Sequence, residues 1–218
     1  MSKPERKIEW MIGGGLCLVI ATVLLASLLS LLRYRTALAQ PLPILAEVAD
    51  FRLTNQHDQV FTLANLRGQV WVADIIFTRC AGPCPRMTRQ MKELQDALPA
   101  TSRARLVTLT TDPVFDTPQV LRLYGERFGA KPERWTFLTG SKDEIAKLAT
   151  SSLKLTAIEK TPAERENPED LFIHSTIFVV VDKKGRLRGI FESSGDGIDP
   201  QRVKAQILSY VKRLELES

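Results

Sequence analysis

From Trp10 to Leu32 the sequence reads WMIGGGLCLVIATVLLASLLSLL, 23 residues without a charge. A helix rising about 1.5 Å per residue crosses a hydrocarbon core of about 30 Å over such a length. The pattern therefore predicts one membrane-spanning helix, with Trp10 and Tyr34 at its two ends where amphipathic rings favour the interface. Ala37-Leu38-Ala39 has the look of a signal-peptide cleavage site. The apolar stretch exceeds the roughly 7–15 residues of a signal peptide, and Arg33 and Arg35 intervene, so an uncleaved anchor is expected. The anchor is placed at residues 1–35 (span 10–32), a tether at 36–48 and the folded domain at 49–218.

Beyond the tether the apolar residues come in short runs between polar turns. FRLTNQHDQVFTL predicts a hairpin around Asn55-Gln56-His57-Asp58, and LRGQVWVADIIF a strand apolar enough to be buried on both faces. Met87, Met91, Leu94 and Leu98 recur at helical spacing behind Pro85, which predicts a helix with one apolar stripe. ARLVTLTTD is the next strand. Thr117-Pro118 caps a helix that stops at Gly129, RWTFLTG is another strand, and SKDE at 141–144 is a capping box for a helix through Ala149. LKLTAIEK is extended, TPAERENPED a polar loop, and STIFVVVDKKGRLRGIFES a hairpin turning on Asp182–Gly185. Asp199-Pro200 caps a last helix that ends near Leu214. Strands alternating with helices, closed by a hairpin and a helix, give an α/β domain with a mixed central sheet. A cysteine pair between the first long strand and the first helix is the layout of the thioredoxin-like fold.

Charge changes this picture only at the N-terminus. Of the formal net charge of +5, residues 1–35 carry +3, so the remainder is close to neutral. No concentrated basic face is left for nucleic acid. Basic residues on both sides of the span give a weak vote for the N-terminus inside and the domain on the outer, periplasmic face.

The candidate chemistry lies in ADIIFTRCAGPCPRMTRQM, which holds Cys80 and Cys84. Cys17 falls within the apolar span and is read as a lipid- or helix-facing residue. One extramembrane pair is too few for a disulfide scaffold and suits a redox or metal site. Unpaired N–H groups and the positive end of the helix dipole favour thiolate at this turn. A thiolate serves disulfide exchange and soft-metal ligation alike. The spacer Ala81-Gly82-Pro83 allows a disulfide, structural or redox, and also allows two sulfurs on one metal, with Gly82 lending backbone freedom. A further ligand would have to be histidine. His57 sits in a turn and is read as solvated, whereas His174 opens an apolar strand that the fold would bring beside the cysteine turn. Cys80, Cys84 and His174 would suit copper or zinc.

IFTRCAGPCPRM, TDPVFDTPQVLRLYGERFGAKPERWTFLTG and FIHSTIFVVVDKKGRLRG together resemble the SCO/SenC family, over roughly residues 45–215. The resemblance implies a membrane-tethered thioredoxin-fold protein that binds copper, as Cu(I) or Cu(II), through Cys80, Cys84 and His174. It implies the copper A-bearing subunit of cytochrome c oxidase as partner, to which copper is delivered or whose cysteines are prepared, with a thiol reductant or another copper donor upstream. Such a protein is a metallochaperone rather than an enzyme in the turnover sense. Members often carry Pro-Asp after the first cysteine and an aspartate before the histidine. Here Ala81-Gly82 and Ile173 stand in those places.

Asp74 points to an alternative. An aspartate six residues before the first cysteine is the position from which thioredoxins assist proton transfer. A membrane-tethered thiol–disulfide oxidoreductase, with Cys80 and Cys84 as the catalytic pair, is therefore the second reading. Asp74 is expected either to be exposed or paired with a base, or to be buried with a raised pKa. Met87 and Met91 are read as core, and Asp112, Asp116 and Thr117 as helix-capping residues.

Overall fold

Val70 and the six residues Trp71–Ile76 are buried without a break, and this run forms the central strand β4. In chain order the strands are β1 (Ala46–Glu47), β2 (Arg52–Asn55), β3 (Val60–Thr62), β4, β5 (Arg105–Thr110), β6 (Trp135–Thr139), β7 (Ala157–Glu159), β8 (Phe172–His174), β9 (Ile177–Val181) and β10 (Arg186–Glu192). The helices are α1 (Cys84–Ala97), α2 (Pro118–Arg127), α3 (Lys142–Ala146), which runs on as a π-helical turn over Lys147–Ser152, and α4 (Pro200–Leu216). The computed structural model describes residues 15, 18–30, 41–161, 163, 172–174 and 176–217, with the backbone alone at 157–159 and 172–174. The chain divides into two units, residues 1–42 and 43–218.

In the second unit eight strands form one mixed sheet in the order β1-β10-β9-β4-β5-β6-β2-β3, and β7 pairs with β8 separately. β4, β5 and β6 are parallel, whereas β9 runs antiparallel to β4. Side chains alternate across the sheet. Trp71, Ala73, Ile75, Val107, Leu109, Val179 and Val181 build one core with Ile145 and Leu148 of α3 and its π turn. Val72, Asp74 and Ile76 point the other way, towards the helices that carry Met87, Met91, Tyr124 and Ile207, all of them buried. This is a thioredoxin-like α/β fold, with the cysteine turn where β4 hands over to α1.

Most expected elements are present. Thr117 caps α2 by accepting from Val120 N, Ser141 caps α3 by accepting from Glu144 N, and Asp199 caps α4 by accepting from Gln201 N. Gly129 and Gly185 take the left-handed conformation that ends α2 and turns the β9–β10 hairpin. Two details differ, and a third expectation cannot be compared. The end of the expected tether is strand β1, paired with β10. The helix after Ser141 continues as a π turn to Ser152, past the expected stop at Ala149. The polar loop 161–170 lies largely outside the described residues.

In the first unit residues 18–30 are helical, and Leu18, Val19, Ile20, Val23, Leu24, Leu25, Leu28 and Leu29 are all exposed. Among the described residues no helix is long and apolar enough to cross a membrane. Trp10, Cys17, Tyr34, the cleavage-like Ala37–Ala39 and much of the expected span lie outside the described residues.

Candidate functional site

β4 ends at Ile76, and Phe77-Thr78-Arg79 carry the chain to Cys80, whose N–H donates to Phe77 O at 3.2 Å. Cys84 is the first residue of α1, Pro85 follows it in the first turn, and Pro83 O accepts from Arg86 N and Met87 N. No disulfide joins the two cysteines, and both are buried, Cys80 at 8 % exposure and Cys84 at 0 %. Gly82 does not have a positive φ, and a Cβ there would lie 3.8 Å from Cys80 Sγ, an ordinary contact. The backbone freedom expected of Gly82 is therefore not drawn on here, because another side chain would fit.

Burial pushes the Cys84 thiol far above its ordinary pKa. The hydrogen bond and charge of Cys80 act in the same direction, as does the charge of Asp74, against an opposing backbone hydrogen bond at Phe77. The helix N-terminus was expected to favour thiolate. At Cys84 it does not prevail, since desolvation in this pocket outweighs it. Burial likewise raises the Tyr124 phenol above its usual range, against the Thr88 hydrogen bond, and the neighbouring Cys84, Asp74 and Cys80 add to the rise. Thr88 Oγ1 donates to Cys84 O at 2.9 Å, so the 2.9 Å contact between Thr88 and Tyr124 has the phenol as donor. Tyr124 and Thr88 thereby fix the start of α1. Neither was singled out in the sequence, where Tyr124 reads as one more residue of an amphipathic helix.

Asp74 is fully buried on the cysteine side of the sheet. Its Oδ1 accepts from Thr108 Oγ1 at 2.7 Å, and Trp135 Nε1 donates to the same hydroxyl at 2.9 Å. The exposed alternative is thus replaced by a buried carboxylate bonded to the Thr108 hydroxyl.

The β5–α2 loop differs more from expectation. Thr117 caps α2, but Asp112 and Asp116 do not. Asp116 is 0 % exposed and accepts from Thr78 N at 3.1 Å and from the hydroxyls of Thr78 and Thr110. Asp112 meets the Arg79 guanidinium at 2.5 Å, and that guanidinium also lies 4.1 Å from the Phe115 ring centroid. The loop is therefore riveted to Thr78 and Arg79, the two residues that precede Cys80. The signal available in the sequence was a pair of aspartates four residues apart, which helix capping explained equally well.

Met87 and Met91 are completely buried core residues, as expected. His57 is exposed in the β2–β3 turn, at the far edge of the sheet. His174 ends β8, where its backbone pairs with Ala157, and its side chain lies outside the described residues. β9 follows three residues later and pairs Val179 with Ala73, so the chain enters β9 from the end of the sheet where β4 leads to Cys80. Among the described residues no three of His, Cys, Asp and Glu cluster to hold a metal. A cleft of about 530 Å³ lies at the opposite end of the strands, between Gln69, Arg105 and Arg134, and takes no part in the cysteine turn.

A family model described as SCO1/SenC matches residues 42–212. The SCO1 protein homolog of Bacillus subtilis is 37 % identical over 147 residues, covering 66 % of this chain and 73 % of that protein. A Stutzerimonas stutzeri protein whose name refers to copper binding is 32 % identical over 171 residues, covering 77 % of this chain and 79 % of its own length. The solved structure of BsSco superposes with a TM-score of 0.68 at 31 % identity, over 82 % of this chain and 100 % of that one. BsSco is described as a member of the Sco family of cytochrome c oxidase assembly proteins, with a disulfide switch.

Proposed function

The chain belongs to the SCO1/SenC family, and on that premise we propose that it is a membrane-tethered copper-binding protein of cytochrome c oxidase assembly. It holds copper through Cys80, Cys84 and His174 and either delivers it to the copper A-bearing subunit or prepares that subunit's cysteines. The carrying observation is the pair of buried cysteines, not joined by a disulfide, at the β4–α1 turn. Two soft sulfurs and an imidazole suit copper in either of its common oxidation states. The β9 strand, entered from His174, supports the third ligand by returning to the cysteine end of β4. The N-terminal helix, apolar all round at 18–30, supports a membrane anchor with the domain on the periplasmic face.

Metal binding requires thiolates. Burial holds the Cys84 proton tightly, so copper has to displace it, and loading is expected to slow as pH falls. The test uses the full-length chain in detergent, reduced, given copper and then desalted. About one copper per chain should be retained, as expected of a ligand set completed in the fold. The Cys80→Ser and Cys84→Ser variants should lose it, and His174→Ala should hold it more weakly. Retention that survives both cysteine substitutions would sink the reading.

Asp74 favours a second reading, a thiol–disulfide oxidoreductase of thioredoxin type. A buried carboxylate whose charge acts on Cys84 is placed to influence proton traffic during disulfide exchange. Rapid reduction of a test disulfide by a chain that retains no copper, dependent on Asp74, would select it.

A further inference from the structure

The first turn of a helix, with its unpaired N–H groups and positive dipole end, favours acidic side chains. α1 has no acid there. It carries instead Arg86 and, one turn on, Arg89, both exposed, while Arg79 stands exposed just before Cys80. Of these three, Arg79 meets a carboxylate, Asp112. Against the field of its own helix, the chain thus sets Arg86 and Arg89 beside the cysteine turn, with Arg79 on its other side.

Beside this rim the β5–α2 loop presents an apolar tip. Val114 is 89 % exposed and Phe115 43 %, whereas Asp112 and Asp116 of the same loop turn inward. The tip is not loose. Asp116 binds Thr78 and Thr110, and Phe115 lies against the Arg79 guanidinium, so tip and cysteine turn move as one body. A rigid, exposed valine that packs against nothing is a contact held ready for another molecule.

We infer that this face is a docking surface for a protein partner whose own face is acidic and offers an apolar socket for Val114 and Phe115. The inference rests on the reading above, in which the cysteines exchange cargo or electrons with a partner, and it adds how that partner is recognised. A protein fits better than a lipid surface. Cys84 is fully buried, so exchange at the turn needs a partner side chain brought to it in one orientation. The arginine rim steers the encounter and the apolar tip fixes the docked pose.

The test uses the full-length chain in neutral phosphatidylcholine nanodiscs and, as probe, the copper-free copper A-bearing subunit of its own cytochrome c oxidase. Association is followed by stopped flow across ionic strength, with copper content and urea unfolding measured on every variant. Arg86→Glu/Arg89→Glu should lower the association rate about tenfold at low salt and flatten its salt dependence, as loss of steering does. Val114→Ser should raise the dissociation rate several-fold and leave association unchanged. Wild-type rates in both variants, or no binding by the wild type, would overturn the proposal. So would a finding that the arginine variant loses affinity for phosphatidylglycerol vesicles and not for the subunit. A wild type that binds no copper yet docks in this charge-dependent way would sink the copper reading and uphold the surface. Full copper with charge-independent docking would do the reverse.

Discussion

Asp116 accepts hydrogen bonds from the Thr78 N–H, the Thr78 hydroxyl and the Thr110 hydroxyl, all at the end of the sheet where the cysteines sit. Burial raises its pKa, against those bonds, and Asp112 adds to the rise. A carboxyl whose folded pKa exceeds its unfolded one stabilises the fold below the unfolded pKa, and that contribution is lost as pH rises through the folded one. Compared with Asp116→Asn, the wild type should therefore lose stability between acid and neutral pH, measured by urea unfolding across that range. Asp116→Ala should cost about 2 kcal/mol, since buried donors are stranded. Asp74 answers to a different measurement. Its charge helps to raise the Cys84 pKa, so Asp74→Asn should move the pH profile of Cys84 alkylation to lower pH. At this scale the cysteines and Asp74 were legible as chemistry because their residue types are rare in an apolar run. The Thr78–Asp116 and Thr88–Tyr124 bonds were not, because they join residues 38 and 36 apart and leave no local pattern.

Among the elements, α2 is held against the sheet at one point of close approach. A Cβ on Gly125 would lie 2.8 Å from Phe137 Cε2, and Phe137 stacks on Trp135 with ring centroids 5.0 Å apart. Gly125→Ala should destabilise the protein by about 1–3 kcal/mol through overpacking, despite the better helix propensity of alanine. A lower urea midpoint with an unchanged slope would show it, and an unchanged midpoint would refute it. Elements with a full period of apolar residues, such as β4 and α1, were legible because periodicity and burial coincide. β1, with two residues, is too short to show a period, and Gln56 escaped notice for another reason. Its side chain donates to Trp135 O and accepts from Phe137 N, anchoring the hairpin turn to β6, a role that no neighbour in sequence announces.

The folded unit as a whole is closed at one corner by a charged cluster. Arg188, 2 % exposed, reaches Asp182 at 2.7 Å, Glu217 at 2.9 Å and Pro43 O at 3.0 Å, linking the last hairpin to the end of α4 and the start of the unit. Burial would raise the Asp182 pKa, but Arg186, Arg188 and the backbone of Lys184 hold it below the ordinary value. That stabilisation is complete above about pH 4 and is lost as pH falls through the depressed pKa. An Arg188→Met variant should accordingly show a shallower loss of stability below about pH 4 than the wild type, measured by thermal unfolding. An identical acid slope would remove the cluster from the acid response.

β1 has a practical consequence. It is the outermost strand of the sheet, and Leu45 N–H and Val48 N–H donate to Leu187 O and Gly185 O of the last hairpin. A soluble fragment begun at residue 49, where sequence reasoning placed the domain boundary, would lack it and would bare Arg186 and Leu187 at the start of β10, on a strand where Ile190 is already 42 % exposed. Bared edges of that kind recruit strands from other chains. Fragments begun after residue 48 should self-associate in a concentration-dependent way, and those begun before residue 43 should stay monomeric, so trimming the N-terminal segment carelessly also unseals the sheet.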